Sequence, residues 1–202
     1  MIIPLFKTSY SIGKSLLRIE DIITIAQDNK LKKVTLVEDN FYGFRAANSA
    51  FLHADIPMVY GVRIPVFQSE SERSSKLVFF AKNNRGLNNL RNLYSKSKLS
   101  ALEVLNISNI EDSELEDIKI GVPFYDSYIY NNIFHFGLCD LNLDGYDHFY
   151  MEEENNHPFD FQIKEKLKNL NIKTQKTKTI YYRNREDFEA FQMYKAVCAR
   201  KQ

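Results

Sequence analysis

Two stretches of this chain place chemically active residue types close together. His148, Glu152, Glu153, Glu154, His157 and Asp160 offer the imidazole nitrogens and carboxylate oxygens that divalent ions take as ligands. A His-x3-Glu pair meets on one face only if the segment is helical. Asn155, Asn156 and Pro158 work against a long helix, so the segment reads as a solvated acidic loop. Asp140, Asn142 and Asp144-Gly145 resemble the start of a calcium loop, but Met151 stands where the bidentate Glu is needed. Residues 164–178 hold six lysines, with Tyr181 and Tyr182 just beyond. Cations for phosphates and rings for base stacking would suit a DNA contact, although the polar face of a helix is the plainer reading. There is no Gly-rich phosphate loop and no Gly-x-Ser-x-Gly nucleophile turn. Cys139 and Cys198 are too far apart in sequence for a metal-spaced pair and read as two buried thiols.

These residues need a scaffold, and 202 residues with 44% apolar content suffice for one core. The net charge of +1 exerts no global pull on nucleic acid, so any DNA contact must come from a local patch. No stretch has the roughly 18 uninterrupted apolar residues of a membrane span. The opening MIIPLFKTSYSIG lacks the pattern of a secretory signal, so a cytoplasmic location is expected, with no membrane partner.

Periodicity predicts strands over residues 2–6, 34–37, 77–81, 118–122 and 133–138, with 58–67 and 180–182 extended. Helices are predicted over 19–29, 43–54, 86–96, 161–170 and 186–200. Phe44, Ala47, Phe51 and Leu52 form the expected apolar face of the second helix. Phe188, Phe191, Met193, Tyr194 and Val197 supply apolar surface on the last. Residues 68–75 and most of 139–160 read as loop. Alternating strands and helices predict an α/β fold with mostly parallel strands, organised as a single domain over 1–202. If such a sheet closes into a barrel, its chemistry sits at the carboxyl ends of the strands.

Four segments, in order, resemble a known family. Val34-Thr35-Leu36-Val37-Glu38-Asp39-Asn40-Phe41-Tyr42-Gly43 resembles a strand ending in Thr-Asp-His-Gly or Thr-Asp-x-Asn. Ile56-Pro57-Met58-Val59-Tyr60-Gly61-Val62-Arg63 resembles the next, Ile-Lys-Pro-Ile-Ile-Gly-x-Glu. Leu77-Val78-Phe79-Phe80-Ala81-Lys82-Asn83-Asn84-Arg85-Gly86-Leu87-Asn88-Asn89-Leu90 is similar to Leu-Leu-Ala-Lys-Asn-x-x-Gly-(Tyr/Phe)-x-Asn-Leu. Ile180-Tyr181-Tyr182-Arg183-Asn184-Arg185-Glu186-Asp187-Phe188-Glu189-Ala190 resembles Val-His-Tyr-Leu-Asn-x-Glu-Asp-x-Glu-Ala. The family is the PHP (polymerase and histidinol phosphatase) domain at the front of the alpha subunit of bacterial DNA polymerase III. The resemblance implies a PHP-type distorted (βα)7 barrel.

Working members of that family hold divalent cations at the strand ends and hydrolyse phosphoesters with a metal-activated water. Carried over by position, the resemblance implies that this chain has lost the ligands. The opening His-x-His falls on Leu5 and Lys7, and the Asp-His pair on Glu38 and Asp39. The Glu after the third strand becomes Arg63, the His before the Leu-Leu-Ala run becomes Lys76, and the late Asp-x-His becomes Thr179 and Tyr181. The four histidines, His53, His135, His148 and His157, fall elsewhere. The expectation is therefore no catalytic residue, no metal ligand and no cofactor. Lys7, Arg63 and Lys76 would pair with Glu38 and Asp39 as internal neutralisers, or else stand as solvated side chains at strand ends.

The resemblance implies a catalytically degenerate scaffold for a replicative (family C) DNA polymerase. Its partners would be the polymerase core or another replisome subunit, including a proofreading exonuclease. The chain would be a fragment of such a polymerase or a free-standing, viral relative. The rivals are a metal-dependent phosphoesterase with a rearranged site around Glu38 and Asp39, and a DNA-binding accessory module using residues 164–178.

Overall fold

The structure, a computed structural model, describes residues 2–68, 74–135, 141–153, 157–169 and 173–199. Short runs of β-branched, aromatic and leucine side chains become strands: β1 (Ile3–Phe6), β2 (Val34–Glu38), β3 (Met58–Phe67), β4 (Ser75–Ala81), β5 (Leu105–Asn106), β6 (Ile118–Val122), β7 (His148–Glu152) and β8 (Thr174–Ile180). The helices are α1 (Ile19–Asp28), α2 (Phe44–His53), α3 (Asn84–Leu99), α4 (Asp112–Leu115), α5 (Tyr128–Phe134), α6 (Asp160–Asn169) and α7 (Asp187–Ala199).

The hydrogen-bonded strand order is β2-β1-β8-β7-β6-β4-β3-β5, and β2 also pairs with β3. Seven strands thus close on themselves while β5 extends β3. This is the distorted α/β barrel that the PHP resemblance implies. Four ladders, β1–β2, β3–β5, β6–β7 and β7–β8, are parallel, whereas β4 runs antiparallel to β6. The reversal between β4 and β6 has a consequence for the site, because the start of β4 lies beside the exit of β6. The Lys76 N–H donates to the Asp126 carbonyl (2.9 Å) at that junction.

The chain divides into two compact units. One comprises residues 62–178 with 1–3, and its core contains Leu77, Phe79, Leu90, Leu93, Val122 and Ile163. The other comprises residues 4–61 and 179–202, built on Phe6, Leu17, Ile22, Leu36 and Phe51. Each such fully buried side chain contributes about 1.5–3 kcal/mol.

The Ala81-Lys82-Asn83-x-x-Gly86 run has a physical cause in the first unit. Asn83 caps α3 by accepting the Gly86 N–H (2.9 Å), and a Cβ on Gly86 would lie 2.2 Å from the Asp117 carbonyl oxygen. Backbone cannot yield as a flexible side chain does, so Gly86→Ala is expected to cost about 2–3 kcal/mol, as overpacking does. Urea denaturation measures it, and a loss below about 0.5 kcal/mol, the range of an innocuous surface change, would contradict this account of the glycine.

Some expectations are corrected. In place of a strand at 133–138 the chain forms α5, because Ser127 accepts the Tyr130 N–H (3.2 Å) and starts a helix upstream; residues 136–138 lie outside the described residues. Within the expected loop at 139–160, β7 forms between β6 and β8, with Tyr150 and Met151 buried. The extended run expected at 180–182 is the exit of β8, which lies mostly upstream. Leu52 is 76% exposed, and Phe188, Met193 and Val197 are exposed as well. On α7 only Phe191 is buried, because at 100° per residue those apolar side chains scatter around the helix instead of forming one stripe. Cys198 is half-buried rather than buried; Cys139 lies outside the described residues.

Candidate functional site

The parallel register of β1 and β2 pairs Leu5 with Thr35 and Phe6 with Leu36. Continued at the same offset, it brings Thr8 level with Glu38. There the Thr8 N–H donates to Glu38 Oε1 (2.8 Å) and the Ser11 hydroxyl donates to Glu38 Oε2. Ser11 Oγ in turn accepts the Asp39 N–H (3.0 Å). Lys7 Nζ donates to Asp39 Oδ1 at 2.7 Å, with the Lys7 side chain 5% exposed and that of Asp39 35%. Glu38 itself is 1% exposed. Burial pushes its carboxyl above the ordinary carboxylate value, against the opposing pull of the Ser11 and Thr8 hydrogen bonds and the Lys7 charge.

This network anchors the turn between β1 and α1. Ser15 Oγ lies within hydrogen-bond reach of the Lys7 and Tyr181 carbonyls, and the Leu16 N–H donates to the latter (2.9 Å). The Tyr181 ring stacks on Phe191 (5.6 Å), and Thr179 is half-buried in β8.

In the other unit, Arg63 on β3 and Lys76 on β4 converge on one carboxylate. Asp126 Oδ2 lies 3.7 Å from Arg63 Nη2 and 3.0 Å from Lys76 Nζ. Arg63 Nη2 also donates to the Tyr125 carbonyl (3.3 Å), while its Nε is shielded without a hydrogen-bond partner. The expectation named Glu38 and Asp39 as partners of all three cations; Lys7 does pair with Asp39, whereas Arg63 and Lys76 pair with Asp126. Asp126 was missed. The available signal was its place just past β6, where strand-end chemistry sits. Asp126 occupies the left-handed region (φ 62°), which Asp tolerates better than most residues.

Residues 6–118, more than half of the chain, match the PHP domain. The chain belongs to that family. The DNA polymerase III subunit alpha of Staphylococcus aureus (strain COL) is 32% identical over 97 residues, which are 48% of this chain but 9% of that protein. The subunit of strain Mu50 is 24% identical over 137 residues, covering 60% and 13%. This PHP domain thus spans about a tenth of the length of those relatives. An amidohydrolase structure from Chromobacterium violaceum superposes over 96% of both chains with a TM-score of 0.51 at 8% identity, a likeness of fold alone.

Among the described residues of this PHP domain, no group of three or more His, Cys, Asp or Glu is placed to hold a metal ion. His53 Nδ1 is within 2.6 Å of the Ser49 carbonyl one helical turn back, and His148 Nδ1 within 2.9 Å of the Tyr146 carbonyl. In the segment weighed as a metal loop, Asp160 is buried and accepts the Tyr125 hydroxyl (2.8 Å) and the His157 N–H (3.1 Å). Residues 154–156 lie outside the described residues. No described helix is long and apolar enough to cross a membrane.

Proposed function

We propose that this PHP domain is a catalytically degenerate module of a replicative (family C) DNA polymerase, acting as a scaffold or protein-binding part in DNA replication. One observation carries the reading: the buried Lys7 ammonium, at a position where the family places a histidine, occupies Asp39 at 2.7 Å. The donor set does not fit a divalent ion. Glu38 is engaged through both oxygens and Asp39 through Lys7, Leu5 has no donor atom, Arg63 and Lys76 bring positive charge, and the Tyr181 ring is stacked on Phe191. A fixed cation near such a site also repels an incoming one.

On this reading residues 1–202 act as one PHP-like domain in the cytoplasm. The partner is the polymerase core or another replisome subunit, such as a proofreading exonuclease. Support comes from the family match and the polymerase relatives. Two measurements test it. Purified chain with manganese or zinc and a phosphodiester reporter should show no turnover above buffer; turnover abolished by Glu38→Ala would establish the rearranged phosphoesterase instead. Mixed with a family C catalytic core lacking its own PHP segment, the chain should co-elute as a stoichiometric complex, and separate elution would contradict the scaffold role.

A further inference from the structure

We propose that Asp144-Gly145 is a site of spontaneous covalent modification, where the main chain isomerises through a cyclic imide to an isoaspartyl linkage. The pair belongs to the stretch that begins like a calcium loop and lacks the closing ligand, and it is chemically independent of the strand-end charges. Of the 7 glycines only Gly145 follows an Asp, and the sequence has no Asn-Gly pair.

The step balances in atoms and charge. The carboxylate takes a proton from solvent, and the Gly145 nitrogen bonds to the Asp144 side-chain carboxyl carbon. The amide hydrogen leaves with the carboxyl hydroxyl as water. Water then adds back across one of the two imide C–N bonds. Opening at the side-chain carbonyl restores Asp144; opening at the main-chain carbonyl routes the chain through the side chain and frees the α-carboxyl. Net composition is unchanged, and no oxidant, metal or second protein takes part. A glycine at the attacking nitrogen carries no Cβ, which removes the crowding that slows such ring closure elsewhere.

The fold leaves this pair as open to reaction as the sequence does. Residues 143–146 form a turn closed by the Tyr146 N–H to the Leu143 carbonyl (3.2 Å), with Gly145 at φ 89° in the third position, where a type II turn needs glycine. A Cβ on Gly145 would meet nothing within 4 Å. Asp144 is exposed, and among the described residues neither its carboxylate nor the Gly145 N–H has a hydrogen-bond or ion-pair partner to give up. Asp144 also borders two cavities, of about 470 Å³ and about 810 Å³, so the ring can form without displacing protein. Asp126 and Asp112 have the next smallest followers, Ser127 and Ser113. Their carboxylates are held, that of Asp126 by Lys76 at 3.0 Å and that of Asp112 by the Tyr146 hydroxyl at 3.4 Å.

Holding the full chain for several weeks in warm, neutral buffer made with oxygen-18 water tests the proposal. Each reopening of the imide fixes one heavy oxygen. Each isoaspartate exposes an α-carboxyl that a protein isoaspartyl methyltransferase labels with a methyl group from S-adenosylmethionine. Both labels should accumulate in the peptide containing residues 144–145 and stay absent from those containing Asp112 and Asp126. So weakly held a turn opens at almost no cost in free energy, so the rate should lie within about tenfold of that in urea. Asp144→Glu, which keeps the charge and needs a larger ring, should lose both labels. Asp144→Asn should gain them faster, since ammonia leaves in place of water. Both changes alter an exposed side chain, so melting curves should match the parent's. The proposal is overturned by an unlabelled 144–145 peptide, or by protection greater than about tenfold relative to urea. Equal labelling at Asp112 and Asp126 would also overturn it, by placing the reaction in unfolded chains.

Discussion

Glu38→Ala should lower the unfolding free energy by about 3 kcal/mol at neutral pH. The carboxylate takes two buried donors, the Thr8 N–H and the Ser11 hydroxyl, and lies almost wholly out of solvent. Truncation strands both, at about 1–3 kcal/mol each, and leaves a cavity besides. Relief of the desolvated charge offsets part of that sum, because burial has already raised the Glu38 pKa. The same shift predicts a pH dependence with a definite sign. The folded form holds the proton more tightly than the unfolded chain. The protonation-linked part of its contribution is therefore fully present below the unfolded value of about 4.5 and is lost as pH rises through the folded one, while the hydrogen bonds and packing remain. Glu38→Gln keeps the shape and cannot ionise. Urea denaturation from pH 4 to 8 should show the wild type losing stability relative to Glu38→Gln as pH rises; parallel curves would contradict the assignment.

The second large effect is an asymmetry within one ion pair. Asp39→Ala leaves the Lys7 ammonium enclosed without its 2.7 Å partner, and breaking a buried pair from one side costs about 3–5 kcal/mol. The 35% exposure of Asp39 lets water reach the vacated position, so a value near the lower end, about 3 kcal/mol, is expected. Lys7→Met removes the buried charge and preserves the packing of the stem, while the Asp39 carboxylate turns to solvent. A change of less than about 1 kcal/mol is expected. Equal losses for the two variants, read from chemical denaturation midpoints, would show that the pair acts as an ordinary surface salt bridge or that Lys7 has other decisive partners.

Much of the barrel was legible because its strands are continuous apolar runs and its early helices are amphipathic. Residues 34–37 and 77–81 could be read directly, and Gly86 marked a close approach whose partner, the Asp117 carbonyl, lies 31 positions away and invisible to periodicity. Local pattern failed where tertiary context decided the outcome. The acids around β7 obscured a strand held between two others, and Ser127 capped a helix where an apolar run suggested extension. Of the site, the position-by-position resemblance located Lys7, Glu38 and Asp39, and the structure adds how the β1–β2 register joins them. Asp126 was not legible as a partner, because its pairing with Lys76 depends on β4 running against β6, and nothing local to either segment encodes that direction.

The central claim of the proposed function is that the protein itself holds positive charge at positions where the PHP resemblance implies metal ligands. Calorimetric titration of the intact chain with manganese at neutral pH tests that most directly. The account predicts no heat beyond dilution, for the wild type and for Glu38→Gln alike. A saturable, one-to-one isotherm in the wild type that Glu38→Gln abolishes would contradict it.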